Sequence, residues 1–456
     1  MVEFQLQELV ERLDARLAGA DTGIRSVSTD SRSLRPGDLF VALQGPSFDG
    51  HDYVPAALER QAAAAMISRP VSTSIPTLQV ADTRLALGQL AALWRERAAA
   101  TVVAVTGSNG KTTVKEMLAA ILGQRGSVLA TVGNLNNDIG LPLTLTRLQE
   151  EDFAVVELGA NHPGEIDYLS RIARPDVAIL NNAGRAHLEG FGSLQGVARA
   201  KLEIINGLAQ DGVFVFNADD EFAQLWRQAA SDYRQLSFGV RQAADVHSEP
   251  QCMRVKWSEH GFSSQFEVST PAGALQLNLR LVGEHNRLNA LAAVAAAQVV
   301  GADETAIVDG LAGLQPVPGR LCLAQGCQGA RLVDDSYNAN PDSVSAAIQV
   351  LASAPGRRRL VLGDLGELGP DQVALHTEIG ERAKAAGIDQ LFTCGVLSAA
   401  ASRSFGKGAR HFADSDQLSD ALLQDMSAED SILIKGSRMA AMDQVVNRLS
   451  AGAGAC

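Results

Sequence analysis

A three-domain α/β protein follows from three features of this 456-residue sequence. They are its length, a glycine-rich turn set between a valine strand and an amphipathic helix, and a recurring order of strand, polar loop and helix. At roughly 150 residues per domain the chain accommodates about three units. A composition of 46% apolar and 20% charged residues is that of a globular chain able to bury sizeable cores. Alternating strands and helices imply mostly parallel sheets, whose ligands sit outside the carboxyl ends of the strands. The expected organisation is a small N-terminal α/β module (1–82), a central parallel-sheet P-loop domain (83–312) and a C-terminal Rossmann-like α/β domain (313–456).

The N-terminal module opens on alternating acidic and apolar residues, the layout of a surface helix and not of a basic-then-apolar targeting signal. Its short apolar strands are separated by Gly, Pro and Asp turns. Among these turns, Ser28-Thr29-Asp30-Ser31-Arg32 offers hydroxyls and a guanidinium for a phosphate or a uracil edge, although taken alone it reads better as a plain polar turn.

The central domain is built around Thr106-Gly107-Ser108-Asn109-Gly110-Lys111-Thr112-Thr113, led in by the apolar run 102–105 and followed by a helical pattern through Val114, Met117, Leu118, Ile121 and Leu122. Glycines let backbone N–H groups approach phosphate oxygens, and a helix N-terminus favours an anion. Lys111 suits the β- and γ-phosphates and the Thr112 hydroxyl suits Mg²⁺. The spacing is shorter than the general Walker pattern, which has glycine six residues before the lysine where this chain has Val105. The alternative is a tight strand–helix turn carrying an ordinary surface lysine; the setting between a Val-rich strand and an amphipathic helix favours the nucleotide site.

Further strands are expected at 153–158, 177–180 and 213–216, and their carboxyl ends carry the next candidates. Glu157 ends the second and suits metal coordination. His187 lies in a glycine-flanked loop after the third. Asn136 and Asn137 belong to an Asn-rich turn that binds phosphate or caps itself. Lys201 reads as an ordinary helix lysine. His285 and Asn286 open an Ala-rich helix expected to be buried, where they cap the helix or touch a base or ribose.

The third unit repeats the pattern. A strand at 330–333 leads to Asp334-Asp335-Ser336-Tyr337-Asn338-Ala339-Asn340-Pro341-Asp342-Ser343, with Asp342 or Ser343 as a helix cap. A final strand at 432–434 delivers Lys435-Gly436-Ser437-Arg438. Arg320, Asp335 and Lys435 fall where such folds place ligands.

A net charge of −13 opposes binding to nucleic acid or to an anionic membrane. No apolar run reaches the ~18 residues of a membrane span. The five cysteines (Cys252, Cys322, Cys327, Cys394, Cys456) lack metal-ligand spacing and are expected to be unpaired, as in a cytoplasmic protein.

Taken together, the loop, Glu157, His187, Lys201, His285-Asn286, Arg320 and Asp335 resemble the Mur ligase family over nearly the whole chain. Asn134-Leu135-Asn136-Asn137 and Asp334 with Ser336-Tyr337-Asn338-Ala339-Asn340-Pro341 resemble the branch that adds D-alanyl-D-alanine. The Asp-Asn-Pro-Arg signature of the diaminopimelate-adding branch does not occur.

The resemblance implies ATP and Mg²⁺ as cofactors, and UDP-N-acetylmuramoyl-tripeptide and D-alanyl-D-alanine as substrates of a cytoplasmic monomer. It implies phosphate and nucleotide contacts from Gly107, Ser108, Asn109, Gly110, Lys111, Thr112, Thr113, Asn286, Arg320 and Asp335. Thr112, Glu157 and His187 become metal contacts, joined by Lys201 as a CO₂-derived carbamate, and Lys111, Glu157, His187 and Lys201 become catalytic. Ser28, Asp30, Ser31, Arg32, Asn136, Asn137, Ser336, Asn338, Asn340 and Lys435 would bind the other substrates. The competing readings are a folylpolyglutamate synthetase-like amide ligase and a nucleotide-gated binding protein without ligase chemistry.

Overall fold

A computed structural model describes residues 2–258 and 261–451. Each predicted unit has its own sheet. The first is five-stranded, in the order Arg16–Ala18, Thr77–Gln79, Ala64–Ile67, Leu39–Val41, Val27–Ser28. Its parallel strands Leu39–Val41 and Ala64–Ile67 are buried throughout, which is why they read as unbroken apolar runs. The opening helix is Leu6–Arg12, preceded by the short strand Phe4–Gln5. Phe4 meets Trp94 with ring centroids 5.1 Å apart, so the start of the chain is packed onto helix Thr83–Arg97.

The central sheet runs in parallel through Val128–Ala130, Phe153–Glu157, Thr101–Thr106, Val177–Leu180, Val213–Asn217, Arg234–Gly239 and Val246–His247. The four predicted strands all lie in it, displaced by at most one residue at either end. It then turns antiparallel through Gly261–Thr270, which pairs with Arg254–Ser258 and Gly273–Leu279. This extension departs from the predicted repeat. Its period-two signal is present in Phe262, Ser264, Phe266 and Val268, all buried while their neighbours face out, as in a sheet with one covered face. Helix Glu284–Val299 buries Ala290, Ala292, Ala293, Ala295, Ala296 and Ala297 completely, and its small side chains let it lie close against helix Lys111–Leu122.

The third sheet has six strands in the order Cys322–Gln325, Arg331–Asp335, Asp430–Lys435, Arg357–Gly363, Gln390–Cys394, Ala409–Phe412, parallel apart from the first. Asp82 caps helix Thr83–Arg97, and the loop after helix Glu304–Gly313 leads to the third sheet. On that basis we propose domain limits of 1–82, 83–312 and 313–456.

One expectation is corrected. Cys252, Cys322 and Cys394 are free, but Cys327 is disulfide-bonded. Sequence spacing gives no sign of this; among the described residues the turn holding Cys327 packs against the segment at Ser450, and Cys456 lies outside the described residues. The Cys327 sulfur lies 3.9 Å from the Ser450 carbonyl, 123 residues away. No helix of the described residues is long and apolar enough to cross a membrane.

Candidate active site

The register of the central sheet sets the carboxyl ends of its strands level. Val105 pairs with Glu157 and Thr106 with Leu180, so the turn after Thr106, the Glu157 carboxylate and the Asn181-Asn182 pair share one edge. The turn ends on Gly110, which precedes helix Lys111–Leu122 with φ of +81°. That left-handed conformation favours glycine, and a Cβ there would collide with Asn289 Oδ1 and Asn181 Nδ2.

A relay of amides fixes the turn. Asn109 N donates to Asn182 Oδ1 (2.8 Å), and Asn109 O accepts from Asn181 Nδ2 (2.9 Å) and Asn182 Nδ2 (3.0 Å). Asn181 Nδ2 also donates to Asn289 Oδ1 (2.9 Å), Asn289 Nδ2 to Asn286 Oδ1 (3.2 Å), and Asn286 Nδ2 to the Val282 carbonyl (2.8 Å). Asn286 lines the cavity while its side chain serves this relay. It does not cap its helix, where Gly283 takes the N-cap position. Because Asn181, Asn286 and Asn289 are buried, Asn289→Ala should destabilise the protein by about 1–3 kcal/mol, the cost of an unpartnered buried amide. Denaturant titration measures this, with a raised KM for ATP as the accompanying effect.

Lys111 Nζ folds over the turn, donating to the carbonyls of Gly107 (2.6 Å) and Ser108 (3.4 Å). Burial holds its pKa below the ordinary lysine value, opposed by the Glu157 carboxylate and reinforced by Arg320. Thr112 Oγ1 donates to Glu157 Oε2 (2.8 Å), and the other oxygen of Glu157 accepts from Asn136 Nδ2 (2.8 Å). Asn137 caps the backbone instead, accepting from Gly140 N at 2.8 Å. A hydroxyl and a carboxylate side by side at the mouth of the turn fit Mg²⁺, which takes one or two protein oxygens together with phosphate oxygens and water. Among the described residues no three His, Cys, Asp or Glu side chains cluster to hold a metal by themselves.

Lys201, on helix Leu194–Leu202, is not the surface lysine its segment suggests. It is 1% exposed, donates to the Ala160 carbonyl (3.3 Å) and sits 5.1 Å from the centre of the Phe191 ring. Burial first, then the nearby Lys111 charge, bring its pKa down to about 7. It lies behind the cavity wall.

The C-terminal domain forms the opposite wall. Arg320 donates to Thr112 Oγ1 (2.9 Å) and Asn340 Nδ2 to Asn109 Oδ1 (2.8 Å), so two of its side chains touch the turn itself. Asn340 with Ser343 forms the capping box of helix Pro341–Ala352. Asp342 is not the cap, because it is engaged with Arg185 of the central domain (2.7 Å), which also pairs with Glu378 (2.9 Å). His187 Nδ1 contacts the Glu367 carboxylate; burial lowers the His187 pKa, against the pull of Glu367. Lys435 pairs with Asp335 (2.6 Å) and donates to Asn338 O (2.9 Å), while burial raises the Asp335 pKa against that cation. Burial, and then Lys435, push His285 down to about 4, leaving its imidazole neutral at pH 7.

These groups surround one cavity of about 1170 Å³. It gathers Ser108 to Thr113, Asn136, Asn137, Glu157, His187, Asn286, Arg320, Asp335, Asn338, Asn340 and Lys435 from the sequence candidates. Ser336 is turned away, buried and donating to Asp334 Oδ1 (2.6 Å). Ser28, Asp30, Ser31 and Arg32 lie outside the lining and form a self-paired turn, with Arg32 on Asp30 at 2.8 Å and Ser28 Oγ on Asp30 O at 3.1 Å. Sequence reading missed Asn181, Asn289, Arg185, Glu367 and Tyr337. The strand-end rule that singled out Glu157 applies equally to Asn181; Asn289 and Arg185 are recognisable only from what faces them.

A phosphate turn and carboxylate on one domain, with arginine and amide groups of another closed over them, are the features of a multidomain nucleotide-dependent ligase. Family models agree: the Mur ligase middle domain matches residues 105–297, the Mur ligase glutamate ligase domain 319–438, and the Mur ligase family catalytic domain 23–95. The chain belongs to the Mur ligase family. It is 48% identical over 452 residues to the UDP-N-acetylmuramoyl-tripeptide–D-alanyl-D-alanine ligase of Escherichia coli K12, covering 98% of this chain and 99% of that one. A crystal structure of MurF from Acinetobacter baumannii is similar at a TM-score of 0.90 and 38% identity, covering 98% of both chains. MurF from Thermotoga maritima in complex with ADP is similar at a TM-score of 0.83 and 31% identity, over 92% of this chain and 96% of that one.

Proposed function

We propose that this chain uses ATP to join D-alanyl-D-alanine to the terminal carboxylate of UDP-N-acetylmuramoyl-tripeptide, making a pentapeptide precursor of peptidoglycan. The observation that carries the reading is the convergence of Arg320 and Asn340, from the third domain, on Thr112 and Asn109 of the phosphate turn. A carboxylate is a weak electrophile with a poor leaving group, so the amide cannot form directly. Transfer of the γ-phosphoryl group gives an acyl phosphate, and attack by the dipeptide amine gives a tetrahedral species that collapses with loss of phosphate.

Both steps concentrate negative charge, where Lys111, Arg320 and the N–H groups of the turn offer preorganised compensation. Mg²⁺, when bound by Thr112 and Glu157, would supply further charge neutralisation at the phosphates. Asn136 orients Glu157, and Asp335 with Lys435 extends the polar wall toward the nucleotide. The Arg185 contacts to Asp342 and Glu378 hold the domains together, so that water is kept from the acyl phosphate. A carbamate on Lys201 would replace a repelling ammonium by a group that organises the metal region. The Ser28–Arg32 turn remains our candidate for contacts with the UDP moiety.

Phosphate release measured with ATP, UDP-N-acetylmuramoyl-tripeptide and D-alanyl-D-alanine should require all three when each is omitted in turn. Turnover with a folate and glutamate in their place, or ATP binding without dipeptide-dependent turnover, would overturn the proposal.

A further inference from the structure

Five lysine and arginine side chains line the cavity: Arg84, Lys111, Arg320, Lys435 and Arg438. Four have partners or a place at the phosphate turn. Arg84 is paired with Asp138, Lys111 lies on the carbonyls of Gly107 and Ser108, Arg320 donates to Thr112, and Lys435 is paired with Asp335. Arg438 differs. Its guanidinium has no acidic partner among the described residues and rests 5.5 Å from the centre of the Tyr337 ring, against which Arg320 also lies at 4.3 Å.

The backbone beneath Arg438 is nonetheless fixed. It opens the short turn Arg438–Ala440, separated by two residues from the end of strand Asp430–Lys435, and its N–H donates to Asn338 Oδ1 (3.3 Å). The carbonyl of that same Asn338 accepts from Lys435. Next to it Met439 is 93% exposed and also lines the cavity, an apolar surface at its rim.

The dipeptide of the proposed reaction brings an amine that must reach the acyl carbon near the phosphate turn. Its carboxylate lies at the other end, up to about 7 Å further along an extended dipeptide. That anion needs a cation outside the phosphate cluster. A guanidinium meets a carboxylate with two parallel N–H bonds, and one without a competing acid is free to do so. Building on the function proposed above, we infer that Arg438 reads the terminal carboxylate of the incoming dipeptide, with Met439 beside it as the apolar surface for the adjoining methyl group.

The test compares D-alanyl-D-alanine with its C-terminal amide in wild type, Arg438→Ala and Arg438→Lys. Loss of a charge-assisted pair predicts a rise of about 10- to 100-fold in KM for the acid in Arg438→Ala, with KM for ATP and for the UDP-tripeptide within about twofold of wild type. Wild type should disfavour the amide by a similar factor, Arg438→Ala should not distinguish acid from amide, and Arg438→Lys should fall between them. An equal rise for acid and amide, or a rise in KM for the UDP-tripeptide, overturns the inference while leaving the ligase reading intact. A wild type without dipeptide-dependent phosphate release overturns that reading, and the inference with it.

Discussion

Lys111→Ala is expected to lower substrate-dependent phosphate release by on the order of 10³-fold, the scale of losing one preorganised charge donor at a developing anion. The thermal midpoint should stay near that of the wild type. Among the described residues, Lys111 Nζ bonds only to the carbonyls of Gly107 and Ser108 in its own turn. The packing of that region rests on Val102, Val103, Val105, Val114, Met117 and Leu118, all fully buried without help from the ammonium. Burial already disfavours the charge, as the lowered pKa records, so its removal also relieves a desolvation cost. Arg320 cannot take over, because it reaches Thr112 from the opposite wall. Steady-state release and circular dichroism melting separate the two effects. A variant that keeps most of its turnover would remove the turn from the chemistry.

The parts of this site that were legible in the sequence are those encoded locally. A strand, a glycine turn and a helix start occupy one contiguous stretch, so the geometry around Gly110 and Lys111 follows from neighbours in the chain. Glu157 was legible through the rule for strand ends, because the register of Val105 with Glu157 is what a parallel sheet imposes.

Contacts between distant segments were not legible. Arg185 carries no local signal for Asp342, 157 residues away, and Asn340 none for Asn109, 231 residues away. The antiparallel extension at Gly261–Thr270 lies outside the repeat of strand, loop and helix, and the polar residues that alternate along it mask its strand character. Lys201 is the clearest case. Its helix neighbours Arg199 and Glu203 make it look solvated, yet the side chain turns inward beneath Ala160 and Phe191. Composition could not reveal that burial, and burial is what brings the pKa of the amine down.

With the carbamate proposed on Lys201, Lys201→Ala should lower turnover by at least about 10²-fold, with partial recovery in millimolar acetate or a similar short carboxylate, because the role proposed for that carbamate is electrostatic and open to substitution in trans. CO₂ adds only to an uncharged amine. At pH 7 an ordinary lysine of pKa 10.5 is uncharged in roughly one molecule in 3000, whereas a pKa of about 7 leaves about half of the Lys201 side chains able to react. The uncharged fraction grows as pH rises through 7, so the proposed carbamate, and activity with it, should decline as pH drops below that point. Stability runs in the same direction. The folded-state pKa lies below the unfolded value, so burying the ammonium destabilises the fold fully below pH 7, and the penalty fades as pH rises toward 10.5. Lys201→Met should therefore melt no lower than wild type at pH 6 while remaining inactive. A ¹³C carbamate resonance after incubation with labelled bicarbonate, absent in Lys201→Met, reports the modification independently of turnover. Wild-type protein without that resonance, or a Lys201→Ala variant with near-normal turnover, would leave the buried amine with a purely structural role.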